Sequence, residues 1–127
     1  MSKIILDASA LLALLNQEKG YEQVEKHLSN SIMSAVNISE VIAVAADLGI
    51  PERELMPIIS SIVADIIPFD TEHAYTAALI RKETKRYGLS LGDRACLALA
   101  RLKNLPILTA DKVWKDLELG IKINLIR

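Results

Sequence analysis

Four carboxylates stand in stretches of the chain that are otherwise largely apolar, and they are the side chains best suited to chemistry. They are Asp7, Glu40, Asp93 and Asp111. A carboxylate beside a hydrophobic core is costly without a counter-ion, because desolvation disfavours its charged form. Neither Asp7, in IILDASALLALL, nor Glu40, in SAVNISEVIAVAADLG, has a Lys or Arg in its own segment. A bound cation is the simplest counter-ion, so the sequence indicates a metal site.

Each acid also has a structural interpretation. Asp7 and Asp93 suit the N-cap or first turn of a helix, and Asp111 could pair with Lys115 four residues later. Glu40 falls outside the apolar stripe of its helix, but its helical neighbours are mostly apolar, so we expect a second apolar contact around it. A shared cation would resolve all four ambiguities together. Oxygen ligands without a His or Cys cluster favour Mg²⁺ or Mn²⁺ over zinc.

Short apolar strands alternate with helices, a pattern typical of a parallel sheet covered on both faces. In such sheets, sites form at the carboxyl ends of the strands, where the strand order reverses. Asp7 and Asp111 follow predicted strands, and Asp93 begins a helix, so the three could converge. The predicted strands are 3–6, 31–34, 66–69, 106–109 and 121–126. The predicted helices are 9–16, 21–29, 37–48, one opened by Pro51, one from the N-cap Asp70 to about Arg86, and one introduced by Gly92 and Asp93.

The composition is that of a core-rich globular protein, with 51 % hydrophobic and 24 % charged residues among 127. This length predicts a single domain over 1–127 that needs neither disulfides nor a structural metal. The apolar runs are too short to span a bilayer and no leader pattern is visible, so we expect a cytoplasmic protein without a membrane partner. The lone Cys96 lies among Leu and Ala, which predicts buried packing.

Net charge gives no sign of nucleic-acid binding, because the chain carries a formal charge of −1. The basic run comprises Arg81, Lys82, Lys85 and Arg86. It fits the solvated last turn of a helix, where cations suit the helix dipole. The alternative is a patch that contacts RNA phosphates.

The acidic segments resemble a PIN domain, and specifically the VapC toxins of bacterial toxin–antitoxin pairs. The resemblance rests on ILDASALLALL, VNISEV, LSLGDRACLALA and LTADKVW, in that order, and covers essentially the whole chain. It implies a PIN-like three-layer α/β/α sandwich with a mostly parallel sheet. It also implies a metal-dependent endoribonuclease, a homodimer and a partner antitoxin. By the same resemblance, catalytic and metal-binding roles fall on Asp7, Glu40, Asp93 and Asp111, with Thr109 and Ser9 as supporting hydroxyls.

Metal-assisted hydrolysis of a phosphodiester fits these residues, because an ion-bound water removes the need for a side-chain nucleophile. We expect Asp7 and Asp93 to bind the ion directly. Asp111 and Glu40 would complete the shell through waters or orient the attacking water. Thr109 would hold a water or a carboxylate.

Two alternatives remain. His27 and His73 could act as base and acid in a metal-free nuclease, although an ordinary surface role is expected for each. The chain could instead be a non-catalytic module with an acidic pocket, such as a phosphoacceptor receiver. A receiver needs an acceptor Asp at the end of its third strand, and the spacing does not supply one.

Overall fold

The computed structural model describes residues 2–127, which contain a five-stranded sheet with helices on both faces. All strand pairs are parallel, in the spatial order β3-β2-β1-β4-β5. The α/β sandwich predicted from the sequence is confirmed, and the sheet is parallel throughout. The strands are β1 Ile4–Leu6, β2 Ser31–Ser34, β3 Asp65–Ile67, β4 Ile107–Thr109 and β5 Ile123–Leu125.

Four of the α-helices in the described residues begin where a side chain caps the first turn. Asp70, the predicted N-cap, accepts a 3.0 Å hydrogen bond from His73 N, and Ser90 caps the helix that carries Asp93. Among residues 2–127, no helix combines the length and the apolar character needed to cross a membrane. The α-helices are α1 Ala8–Leu15, α2 Tyr21–Glu25, α3 Ala35–Asp47, α4 Glu52–Ile62, α5 Thr71–Glu83 and α6 Leu91–Lys103.

Strand side chains alternate between two hydrophobic cores, one on each face of the sheet. Ile4 and Leu6 pack with α1, α2, α3 and α4, whereas Ile5 packs with α5 and α6. This is the period of two expected of a strand buried on both faces. Cys96 lies fully buried in the second core, so its predicted packing role is confirmed.

Two helices are shorter than predicted. The helix expected over 21–29 ends at Glu25, and it buries a single side chain, Val24. The helix expected to reach Arg86 ends at Glu83, because the Thr84 hydroxyl donates a 2.8 Å hydrogen bond back to Ile80 O and the chain tightens into a 3₁₀ turn.

The strands at the two edges of the sheet are also shorter. β3 ends at Ile67 rather than residue 69, because Pro68 has no N–H to continue the ladder. β5 covers only Ile123–Leu125 of the predicted 121–126. The strands that precede Asp7 and Asp111 lie at the centre of the sheet and match their predicted positions within one residue.

Candidate active site

The sheet reverses its strand order between β1 and β4, and this is the point at which two of the four acids lie. Asp7 directly follows β1, and Asp111 follows β4 by two residues. A crevice forms outside the carboxyl ends of parallel strands at such a reversal, since the connections on its two sides diverge. The topology therefore brings Asp7 and Asp111 to the edge of the sheet at which the sequence predicted a site.

Asp7 is buried, with 4 % of its surface exposed, and protein donors surround its carboxylate. Oδ1 accepts hydrogen bonds from Ala10 N at 2.9 Å and from the Ser9 hydroxyl at 2.8 Å. Oδ2 accepts from the Thr109 hydroxyl at 2.6 Å. Asp7 is thus the N-cap of α1 as well as a candidate ligand.

Burial raises the pKa of Asp7 to about 6. The hydrogen bonds from Thr109, Ala10 and Ser9 lower the pKa, and the negative charge of Asp93 raises it, but desolvation is the largest cause. No Lys or Arg within residues 2–127 forms an ion pair with Asp7. A buried carboxylate in this state gains strongly from a bound cation.

Asp93 lies in the first turn of α6 and forms a capping box with Ser90. Its Oδ2 accepts a 3.0 Å hydrogen bond from Ser90 N, and its own N–H donates to Ser90 Oγ at 3.1 Å. Its Oδ1 accepts no hydrogen bond from the described residues. The cap therefore uses one carboxylate oxygen and leaves the other available.

Asp111, like Asp93, uses one carboxylate oxygen as a cap and leaves the other without a hydrogen bond from the described residues. Its Oδ1 accepts a 3.1 Å hydrogen bond from Val113 N and caps a 3₁₀ turn, Lys112–Asp116. Its backbone N–H donates to Thr109 Oγ1 at 3.0 Å. Lys115, the competing partner considered from the sequence, makes no ion pair with it in residues 2–127.

Glu40 lies on α3 and is exposed. The second apolar contact expected around it is wrong, because its carboxylate meets polar groups and backbone instead. Asn37 Nδ2 donates a 2.9 Å hydrogen bond to Glu40 Oε1, and the same carboxylate lies over Gly92 of α6. The Glu40 carboxylate therefore lies next to Gly92, the residue that precedes Asp93.

Three of the acids lie close enough to the buried Cys96 thiol to affect its pKa. Burial raises the pKa of the Cys96 thiol well above its usual range, and the negative charges of Asp7, Asp93 and Glu40 raise it further. These carboxylates therefore lie around the first half of α6. Within residues 2–127, no three of the acidic, His or Cys side chains are close enough to form a ready-made metal cage.

The donor set nevertheless fits a hard divalent cation. All four candidate ligands are carboxylates, and Mg²⁺ and Mn²⁺ prefer oxygen ligands. Asp7 supplies a buried charge without a protein cation, while Asp93 and Asp111 each keep an oxygen that no described residue binds. Ser9 and Thr109 hold the central carboxylate, and their hydroxyls lie 3.2 Å apart.

The basic run lies away from these acids. All four of its cations are exposed, and Arg86 stacks over the Tyr87 ring at 4.9 Å. Glu83, which lies within the run, pairs with Arg101 at 2.8 Å. Arg101 lies eight residues after Asp93 in α6, or about 12 Å along the helix axis. RNA would have to extend past the acidic site to reach these residues.

The two histidines lie in different parts of the molecule. His27 lines a pocket with Lys3 and Lys122, which precede β1 and β5 at the amino ends of the strands. His73 lies on α5, where its ring packs edge-on against Phe69 at 6.1 Å. The surface role expected for His73 is wrong, since only 6 % of the residue is exposed.

Asn37 is the residue of the site that sequence reasoning missed. It lies three positions before Glu40, a spacing that places both side chains on the same side of a helix. A polar amide at that spacing, inside an otherwise apolar segment, was the available signal. Gly92 carried no local signal, because its role depends on α3 packing against α6.

Comparisons with known proteins agree with this fold. The family model for the PIN domain matches residues 4–119. No curated protein sequence matches the chain.

Solved structures match over nearly the whole chain. A DNA-bound VapBC from Salmonella typhimurium is 23 % identical with a TM-score of 0.76, covering 100 % of both chains. A toxin–antitoxin complex from Klebsiella pneumoniae is 20 % identical with a TM-score of 0.78, covering 98 % of both chains. VapC20 of Mycobacterium tuberculosis, a toxin that cleaves the sarcin-ricin loop, is 13 % identical with a TM-score of 0.72, covering 94 % of this chain and 99 % of its own. At these identities the likeness shows the fold.

Proposed function

The chain belongs to the PIN domain family, and from that premise we propose that it is a divalent-metal-dependent endoribonuclease, the toxin of a toxin–antitoxin pair. The observation that carries the proposal is Asp7, a buried carboxylate without a protein cation at the reversal point of the sheet. Asp93, Glu40 and Asp111 add further carboxylate oxygens at the same edge. This arrangement supports cation binding in addition to the capping roles of Asp7, Asp93 and Asp111.

The residues of the chain divide the work of phosphodiester hydrolysis. A bound Mg²⁺ or Mn²⁺ supplies charge neutralisation at the phosphate and lowers the pKa of its bound water. Asp7 and Asp93 are the direct ligands in our proposal. Glu40 and Asp111 bind through waters or orient the attacking one. Ser9 and Thr109 fix the Asp7 carboxylate, since their hydroxyls donate to both of its oxygens.

The ends left by cleavage test this mechanism. Hydrolysis in which water displaces the 3′ oxygen would leave a 5′-phosphate and a 3′-hydroxyl, and it would make no use of the 2′-hydroxyl. We expect these ends by mass spectrometry of cleaved RNA oligonucleotides. Cleavage should disappear with chelator and return with added Mg²⁺ or Mn²⁺. Cyclic phosphates formed in the presence of chelator would overturn the metal mechanism.

The histidine alternative has little structural support. His27 lies near the amino ends of the strands, whereas His73 lies on α5 against Phe69, so the two imidazoles are in different parts of the molecule. Variants His27→Ala and His73→Gln should therefore cleave RNA at near-normal rates. The glutamine replacement keeps a polar side chain at the buried position 73.

The receiver-like alternative conflicts with the strand order. In the doubly wound order of receivers the third strand lies at the centre of the sheet. Here β3 is an edge strand, and its last residue is Ile67 rather than an acid. A phosphoacceptor at that position has no support.

We also propose partners from the same resemblance. The structural neighbours include toxin–antitoxin complexes, which supports a cognate antitoxin and, by family resemblance, a homodimer. A groove of about 300 Å³ between α1, α3 and α4 exposes Leu48 and Val44, and exposed apolar surface of this kind suits a protein partner. Expression of the chain alone should arrest growth of a host cell, and light scattering should report a dimer. The single domain over 1–127 and the cytoplasmic location stay predictions.

A further inference from the structure

Asn37 joins the helix that carries Glu40 to the helix that carries Asp93. It is 99 % buried on α3, since only 1 % of its surface is exposed. Its Nδ2 donates one hydrogen bond to Glu40 Oε1 and another to Gly92 O, each at 2.9 Å. An amide nitrogen has two hydrogens, so both are used. The Glu40 carboxylate is thereby fixed relative to the backbone of α6.

The amide nitrogen of Asn37 makes both of the hydrogen bonds that its side chain forms with the described residues, and the buried Oδ1 makes none with them. The amide is therefore better explained by what its nitrogen holds.

Gly92 provides the space in which the Glu40 carboxylate lies. A Cβ at position 92 would be 2.5 Å from Glu40 Cδ and closer still to both carboxylate oxygens. Gly92 lies within α6 and is not among the glycines with positive φ, so its backbone does not require glycine. Glycine inside a helix is less stable than alanine. The small residue is explained by the contact with Glu40.

We propose that Asn37 is a positioning residue that acts through Glu40, and that Gly92 is the contact surface against which it holds the carboxylate. Glu40 is exposed and has a flexible side chain, so without these contacts it would sample many rotamers. With the hydrogen bond from Asn37, the Glu40 carboxylate lies beside Gly92, the residue that precedes Asp93. This inference rests on the proposed nuclease function, in which both acids serve the same ion.

A double-mutant cycle tests the role of Asn37. Asn37→Ala should lower RNA cleavage by about 10–100-fold and raise the Mn²⁺ concentration needed for half-maximal thermal stabilisation. In a Glu40→Ala background the same change should have less than about a twofold effect, because the group through which it acts is gone. Equal losses in both backgrounds would overturn the proposal. An Asn37→Ala variant that cleaves RNA at the wild-type rate would also overturn the proposal.

Gly92→Ala tests the same contact without disturbing the buried amide. We expect the melting temperature to stay equal or rise by about 2–4 °C, as for alanine replacing glycine in a helix, while cleavage falls as in Asn37→Ala. In the Glu40→Ala background, Gly92→Ala should change stability only. Ser39→Ala, an exposed change on α3, is the matched control and should alter neither property. Unchanged cleavage by Gly92→Ala would contradict the inference.

The outcomes separate this inference from the function on which it rests. A wild type that neither cleaves RNA nor gains stability with Mn²⁺ overturns the proposed function and the positioning role together. A wild type that does both, beside an Asn37→Ala variant that behaves identically, overturns the positioning role alone.

Discussion

The Thr109 hydroxyl donates a 2.6 Å hydrogen bond to Asp7 Oδ2, although the two residues are 102 positions apart in the chain. The contact exists because β1 pairs directly with β4, with Ile5 opposite Ile107. Thr109 Oγ1 also accepts from Asp111 N at 3.0 Å. One buried hydroxyl therefore connects two of the candidate ligands, and its removal should affect both.

Thr109→Val should reduce cleavage and lower stability at neutral pH. Valine keeps the shape, but the buried Asp7 carboxylate loses a donor and Asp111 N loses an acceptor, which costs about 1–3 kcal/mol. We expect cleavage to fall by about 10–100-fold, as for other residues that hold metal ligands. Thr84→Val is the control, because Thr84 is equally buried but bonds only Ile80 O. Equal loss of cleavage in both variants would mean that Thr109 has only a packing role.

Asp7→Asn should abolish cleavage while the protein stays folded. The amide retains a carbonyl oxygen for the cap on Ala10 N, and it removes a buried charge without a counter-ion. Asp70→Asn makes the same change at another helix N-cap, on α5, and should retain full activity. Circular dichroism and a cleavage assay on both variants test this. If Asp7→Asn unfolds while Asp70→Asn does not, Asp7 is chiefly structural.

The pH dependence of stability should reveal the Asp7 charge in metal-free protein. Its folded pKa of about 6 lies above the unfolded value of 3.8, so between these values the folded state holds a proton that the unfolded state has lost. The free energy of unfolding therefore falls as pH rises from about 4 to 6, and then stays level. The full difference is about 3 kcal/mol.

Urea titrations of wild type and Asp7→Asn in chelator measure this effect. Asp7→Asn lacks the titrating group, so its advantage over the wild type should be absent near pH 4 and grow until about pH 6. Asp93, whose charge also acts on Asp7, is present in both proteins. Parallel curves for the two proteins would show that burial does not perturb Asp7.

Local patterns were enough to predict the elements and three of the acids at their ends. Asp7 follows an apolar strand, and Asp93 lies in the first turn of a helix. Both positions could be predicted because strand ends and helix caps depend on residues that are adjacent in the sequence. The strand order is not local, since it depends on pairing between segments far apart. For the same reason, the supporting role of Thr109 followed from the family resemblance, and its partner, Asp7, is known only from the structure.

Burial across the helix layers was the part that sequence patterns missed. Helical spacing placed His73 on a surface, but Phe69 covers its ring. The same spacing gave Glu40 an apolar neighbourhood, whereas its carboxylate meets Gly92 of α6 and the amide of Asn37 on its own helix. Phe69 and Gly92 both lie outside the helix whose side chain they contact, and a periodicity argument does not include such residues.

Divalent ions should stabilise the wild type through the acidic site. An ion that binds only the folded state adds RT ln(1 + [L]/Kd) to the free energy of unfolding, or about 2.7 kcal/mol at 100 times Kd. Melting with Mg²⁺, Mn²⁺ and chelator measures the gain, with an Asp7→Asn, Asp93→Asn double variant as the comparison. An equal gain in the double variant would show that the ions bind elsewhere.

Arg81, Lys82, Lys85 and Arg86 should contribute to RNA binding through phosphates that lie beyond the acidic site. Each phosphate contact adds about 0.7 to the salt slope for a single strand, so Arg81→Gln with Lys82→Gln should flatten the slope by about 1–2 and weaken all RNA sequences alike. Lys19→Gln with Lys26→Gln is the control, since these exposed lysines lie on the opposite face of the sheet, beside α2. Binding measured across a salt series, with catalytically inactive Asp7→Asn as the parent protein, separates affinity from cleavage. An unchanged slope in the Arg81, Lys82 variant would leave the run as a solvated helix end.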